Sequence, residues 1–210
     1  MNWKKIEKAP GKKPPTGTYS DWKPLLAEEG FNQCVYCAIP ESLLGGIRNF
    51  HVEHYRPKSK FSNLENDYSN LFYACPICNT FKSNDWPSEP VEDHSVASYP
   101  NPSEVDYNTL FESDTQKGLI KGKNVAAKYI QEKMFLNRPQ LITERRVHFL
   151  LNRGCKEIEE TKKILEKFQI DTDYRQYSKA FMDLWIGFDK LLKTLYEIPR
   201  YQMNDIKKLA

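Results

Sequence analysis

Two Cys-x-x-Cys pairs, Cys34 with Cys37 and Cys75 with Cys78, constrain this chain more than any other feature. Each short turn aims two sulfurs at one point, and two such turns supply the four tetrahedral thiolates that a zinc ion takes. In a reducing compartment disulfides are disfavoured. Redox chemistry is the competing reading, although redox motifs do not normally come as two matched knuckles. The stretch between the knuckles is longer than a compact zinc ribbon needs, so a metal there closes a loop with contents of its own. The fifth cysteine, Cys155, falls on the apolar face of a helical stretch and reads as a small core hydrophobe.

The 210 residues fall between the sizes of one domain and two, which suggests a small motif-bearing unit joined to a larger support. With 31 Lys+Arg against 28 Asp+Glu, the net charge of +3 argues little for a polyanion partner by itself. Its distribution says more: Lys4, Lys5, Lys8, Lys12 and Lys13 crowd the start, and Arg56, Lys58 and Lys60 follow a pair of histidines. No apolar run approaches a membrane span, and the first residues lack a signal-peptide core, so a cytoplasmic protein is expected.

Four segments are expected. Residues 1–30 form a basic extension, extended or mobile at first, then a short helix from Ser20 to Gly30. Residues 31–90 hold the zinc-stapled core, with a strand-like run from Ile47 to His54, a short apolar turn from Tyr68 to Ala74, and a helix containing Thr80, Phe81 and Lys82. The run from Asn84 to Tyr107 is rich in Pro, Ser and Asp, and residues 91–123 read as an irregular connector. Residues 124–210 carry helical periodicity: a helix near 124–135, then a long antiparallel pair. Val147, Leu150, Leu151, Ile158, Leu165 and Phe168 mark one stripe, and Tyr177, Phe181, Leu184, Phe188, Leu191 and Leu195 the other. Such stripes are more often core than cofactor sites, so this half is assigned to support or partner docking.

Between the knuckles lies His51-Val52-Glu53-His54-Tyr55-Arg56-Pro57-Lys58, and the second knuckle continues Cys78-Asn79-Thr80-Phe81-Lys82. Phosphodiester hydrolysis needs a base for water, which an imidazole supplies near neutral pH. It also needs a cation to neutralise charge on the phosphate and the departing oxygen. A hard ion such as Mg2+ is satisfied by few protein oxygens plus its own waters. Glu53 and Asn79 supply a carboxylate and an amide oxygen, and His54 supplies the base. A four-cysteine zinc site has no open position, so it staples the site rather than acting in it. His51 shares a strand face with Glu53 and is either a further ligand, a phosphate contact or a plain surface histidine. Arg56, Lys58, Lys60 and Lys82 are candidate contacts to a nucleic-acid backbone, or simply solubilising charges. Asp93-His94 repeats the acid–histidine pair without a partner downstream and is discounted, as is His148 on its helix.

Glu53-His54 followed by proline, Asn70-Leu71, and Cys75-x-x-Cys78-Asn79-x-x-Lys82, framed by Cys34-x-x-Cys37, together resemble the HNH endonucleases. The resemblance implies an α+β chain with a ββα-metal core, zinc-stapled, and a mainly helical C-terminal region. It implies His54 as general base, Asn70 as the residue that positions it, Glu53 (where many members carry Asp) and Asn79 as ligands of a catalytic Mg2+ or other divalent ion, and DNA as substrate. More narrowly, the run from Glu53 to Ser59, with Tyr99-Pro-Asn-Pro, Gly118-Leu-Ile and Leu136-Asn137-Arg138, is similar to HNH nucleases encoded with retrons and Septu-type antiphage systems. Those work with an ATPase of the ABC/OLD kind. One centre cuts one strand, so double-strand cleavage calls for a homo-oligomer or a second encounter. The rival is a non-catalytic zinc-binding adaptor that holds nucleic acid or a protein partner.

Overall fold

The computed structural model describes residues 3–8, 16–170 and 174–197, with side chains described for 3–8, 16–164 and 179–193. The chain divides into two units, 1–114 with 119–141, and 115–118 with 142–210.

In the first unit, the short helix α1 (Lys23–Glu29) starts at the Pro24 turn and stops at Gly30. An antiparallel hairpin, β1 (His51–His54) and β2 (Leu71–Ala74), pairs Glu53 with Phe72 and His54 with Leu71. The stretch from Tyr68 to Ala74, expected as a turn, is therefore a 3-10 turn followed by the second strand. Its four strand residues are all buried, and a strand buried on both faces shows no period-two alternation to read. Helix α2 (Pro76–Lys82) follows at once, with Pro76 in the first turn, where its missing N–H costs nothing. The Cys75 sulfur caps this helix, accepting from the Cys78 N–H at 3.4 Å.

Packed on this ββα unit is an aromatic core that includes Tyr36, Phe50, Phe72, Tyr73, Trp86 and Tyr99. Each such ring buries about 150–250 Å2, so a core this aromatic needs few aliphatic residues. The stretch 91–123, expected to be irregular, contributes the turn α3 (Tyr107–Leu110) and a second hairpin, β3 (Phe111–Asp114) and β4 (Leu119–Gly122). Helix α4 (Val125–Lys133), capped by Asn124, lies against β4. The approach depends on Gly122, where a Cβ would stand 2.5 Å from the Lys128 nitrogen. The N-terminal stretch is pinned as well. Trp3 stacks on Phe111 at 5.2 Å and donates to the Tyr36 carbonyl, while Lys8 pairs with buried Glu29 at 2.7 Å.

In the second unit, α5 (Pro139–Ile170) continues through Gly154 into a run of 32 residues, and α6 (Tyr174–Glu197) follows. The two helices meet closely at Gly187, where a Cβ would come 2.6 Å from the Thr161 hydroxyl. The expected stripes are only partly covered: Leu150 is buried, but Leu151, Ile158, Phe181 and Phe188 are exposed. Leu165, Phe168, Tyr177 and Leu195 lie outside the residues with described side chains. Cys155 is exposed, not a core residue as expected, and its neighbours one turn away on the helix, Leu151 and Ile158, are exposed with it.

Candidate functional site

The two knuckles converge. Cys34, Cys37, Cys75 and Cys78 are buried, and their sulfurs all lie within 4.8 Å of one another. Thiolates arranged tetrahedrally at about 2.3 Å from one ion stand roughly 3.8 Å apart. Cys37 and Cys75 have their sulfurs at 3.8 Å, far beyond disulfide bonding. Burial, reinforced by its sulfur neighbours, holds the Cys34 thiol well above its ordinary pKa. Four buried sulfurs at this spacing, with no disulfide among them, suit a zinc ion.

An open cleft of about 580 Å3 gathers His51, Glu53, His54, Lys58 and Asn79, together with Tyr19, Lys23, Thr80 and Ser83. Thus the proposed base and both proposed ligands of the second ion border one space.

Each has a distinct environment. Glu53 is 3% exposed, the inward residue of β1. One carboxylate oxygen, Oε1, receives both the Lys82 ammonium at 2.6 Å and the Tyr36 hydroxyl at 3.1 Å. Among the described residues no hydrogen bond engages Oε2. Burial pushes the Glu53 carboxyl up, against the opposing pull of Lys82 and Tyr36. The half-buried Asn79 makes no side-chain hydrogen bond among the described residues. A carboxylate oxygen and an amide oxygen are hard donors, and the pair fits an oxygen-seeking divalent ion that keeps most of its waters. His51 is exposed at the cleft and adds no buried donor.

His54 is half-buried. Its Nε2 lies 2.9 Å from the Glu65 carbonyl, which can only accept, so Nε2 carries the proton and Nδ1 the lone pair in the neutral ring. Burial lowers its pKa, with nearby Lys58 adding to the effect and the Glu65 carbonyl opposing it. A neutral imidazole at pH 7 with one nitrogen unprotonated is the state a general base requires. Tyr19 sets its ring edge-on to His54 at 4.8 Å.

Among the described residues no hydrogen bond joins the Asn70 side chain to His54. Its Oδ1 accepts from the Arg56 N–H at 2.8 Å, and its amide donates to the carbonyls of Arg56 and Leu64 at 3.0 and 3.3 Å. It therefore ties both ends of the loop 56–64, next to the carbonyl that holds His54. Any influence of Asn70 on the cleft therefore runs through the backbone of this loop.

The four candidate phosphate contacts separate. Lys58 borders the cleft, bonded to Glu65 at 2.8 Å and to the Tyr19 hydroxyl at 3.2 Å. Arg56 opens on another cavity and pairs with Glu89 at 2.7 Å, while Lys60 reaches the Trp86 carbonyl at 3.3 Å. Lys82 must be corrected. It is fully buried, bonded to Glu53 and to the His54 carbonyl at 2.8 Å, and cannot meet a polyanion. Its charge serves the interior. Tyr36, Tyr19 and the Glu65 carbonyl were not foreseen; the last is a main-chain atom, which no side-chain pattern announces.

Residues 34–85 match the HNH endonuclease family. The chain is also similar to the Septu protein PtuB of Bacillus thuringiensis, with 30% identity over 145 residues, 69% of this chain and 50% of that protein. It thus spans about half the length of this curated relative. No solved structure matches it. Among the described residues, no helix is long and apolar enough to cross a membrane.

Proposed function

We propose that this chain is a metal-dependent endonuclease that hydrolyses DNA phosphodiester bonds, with His54 as general base, a reading supported by the match of residues 34–85 to the HNH endonuclease family. The observation that carries the proposal is the His54 ring, held by Nε2 on the Glu65 carbonyl in the cleft that Glu53 and Asn79 also border. In this reading Nδ1 takes a proton from the attacking water. Glu53 and Asn79 hold a divalent ion, Mg2+ or a similar one, through Oε2 and the amide oxygen. When bound, that ion supplies positive charge to the phosphate and to the departing 3′ oxygen. Lys82 and Tyr36 fix the Glu53 carboxylate from behind, and Lys58 faces the incoming backbone. The four cysteines hold structural zinc, which folds the hairpin and α2 into place.

The likeness to a Septu protein supports a role as the nuclease of an antiphage system acting with an ATPase partner. Exposed Phe181, Met182, Trp185 and Phe188 on α6 favour a docking role for the helical unit.

Plasmid nicking in Mg2+, Mn2+ and Ni2+ tests the proposal, comparing the intact protein with His54→Ala, alone and with the neighbouring gene product. Cleavage should vanish in the variant while its circular dichroism and zinc content stay unchanged. Nicking that survives His54→Ala refutes the base assignment. An intact protein that binds DNA but never cuts, with any ion or partner, returns the chain to the adaptor class.

A further inference from the structure

Arg138 lies in the Leu136-Asn137-Arg138 tripeptide between α4 and α5, a motif the cleavage chemistry leaves unused. Its guanidinium rests on the sulfur cluster. Nη2 lies 3.5 Å from the Cys37 sulfur and 3.8 Å from that of Cys78, and Nη1 lies 3.9 Å from Cys78. One sulfur belongs to each knuckle. Nη1 also donates to the Met134 carbonyl at 2.9 Å, which fixes the fork in place. The neighbours of Arg138 are anchored too: Leu136 is fully buried, and Asn137 brackets Ile120, accepting from its N–H at 3.0 Å and donating to its carbonyl at 2.8 Å.

Four thiolates around a divalent zinc leave two net negative charges. The cysteines holding them are at most 1% exposed, where uncompensated charge is expensive. Among the described residues Arg138 is the one side-chain cation within hydrogen-bonding distance of these sulfurs. The backbone N–H of Cys78 is a further donor, to Cys75. A planar, always-charged fork can serve two acceptors at once, which a lysine ammonium on a flexible stem does less well.

We propose that Arg138 is the counter-ion and outer clamp of the tetrathiolate zinc site, bridging the two knuckles so that metal retention depends on it. This rests on the zinc reading of the four cysteines. The clamp draws electron density from the Cys37 and Cys78 sulfurs, neutralises half the net charge of the cluster, and ties the turn before α5 to the metal. The knuckles alone provide the ligands; the site is complete with a residue about sixty positions beyond the second knuckle.

The test uses the full chain as wild type, Arg138→Lys and Arg138→Gln, with exposed Lys121→Gln as a control. Metal content is measured first, then Co2+ is exchanged in. Two quantities are read: the sulfur-to-cobalt absorption band, and the metal lost to a competing chelator. Loss of an outer-shell partner typically costs about 10–100-fold in metal affinity. Arg138→Gln should show a loss of that order and a band moved to lower energy, because thiolates without hydrogen bonds give up electrons more readily. Arg138→Lys, which keeps the charge, should fall between, and Lys121→Gln should match wild type. If Arg138→Gln does not fold, the band and chelator competition of Arg138→Lys decide in its place. Variants that hold metal as tightly as wild type, with an unmoved band, overturn the proposal and leave the zinc reading intact. A wild type that never holds a thiolate-bound metal overturns both.

Discussion

Replacing Lys82 by methionine should destabilise the chain by about 3–5 kcal/mol, the usual cost of removing one partner from a buried ion pair. The side chains of Lys82 and Glu53 are 0% and 4% exposed, so solvent does not screen the pair as it would at a surface. Methionine keeps most of the buried volume, which limits the cavity contribution. What it removes is the charge opposite Glu53 and the donor to the His54 carbonyl. Oε1 then keeps only the Tyr36 hydroxyl. Urea unfolding at saturating zinc measures the loss as a change in midpoint at constant m. The penalty should shrink as the pH is lowered. Burial already pushes the Glu53 carboxyl up, and without Lys82 it rises further, so protonation at low pH removes the buried charge that lacks a partner. The double variant Glu53→Gln with Lys82→Met should recover much of the loss, because neither half then leaves a bare charge. A cost under about 1 kcal/mol for Lys82→Met, or a double variant whose cost is simply the sum of the two singles, refutes the reasoning.

Two further outcomes concern the cleft. Asn70→Ala strips an acceptor from the Arg56 N–H and donors from two carbonyls, and should cost about 2 kcal/mol in the same unfolding assay. In cleavage assays it should lower kcat with little change in KM, since the loop beside the His54 anchor slackens while the DNA-facing surface remains; an unchanged kcat removes Asn70 from the positioning role. The acid limb of kcat/KM should fall below the ordinary histidine value of 6.5, because burial and Lys58 both lower the His54 pKa and the base works only when deprotonated. Activity is therefore lost as pH drops through that lowered value, and a limb lying above 6.5 contradicts the assignment.

Which parts of this arrangement a sequence can carry follows from the range of the interactions involved. Knuckle spacing is local covalent geometry, so four converging sulfurs follow from two Cys-x-x-Cys turns. The neighbours His54 and Glu53 lie on opposite faces of β1 by the strand period, which separates a half-exposed imidazole from a buried carboxylate. The same periodic logic, pressed one step further, places Lys82 correctly. Cys78 must face the metal, and residues four apart share a helix face, so Lys82 turns inward with it while Asn79 and Ser83 turn together toward the cleft. A basic residue beside a phosphate-cutting motif invites a surface role, but helix geometry overrides that association. By contrast, the Glu65 carbonyl on His54 and the Arg138 fork on the sulfurs depend on loop paths between distant positions, and no local spacing encodes those. On α6 the apolar stripe is visible in the sequence, yet periodicity states only that a face is apolar and not what covers it. Among the described residues Phe181 and Phe188 stand exposed on that face, and under the proposed docking role it is the surface a partner would cover.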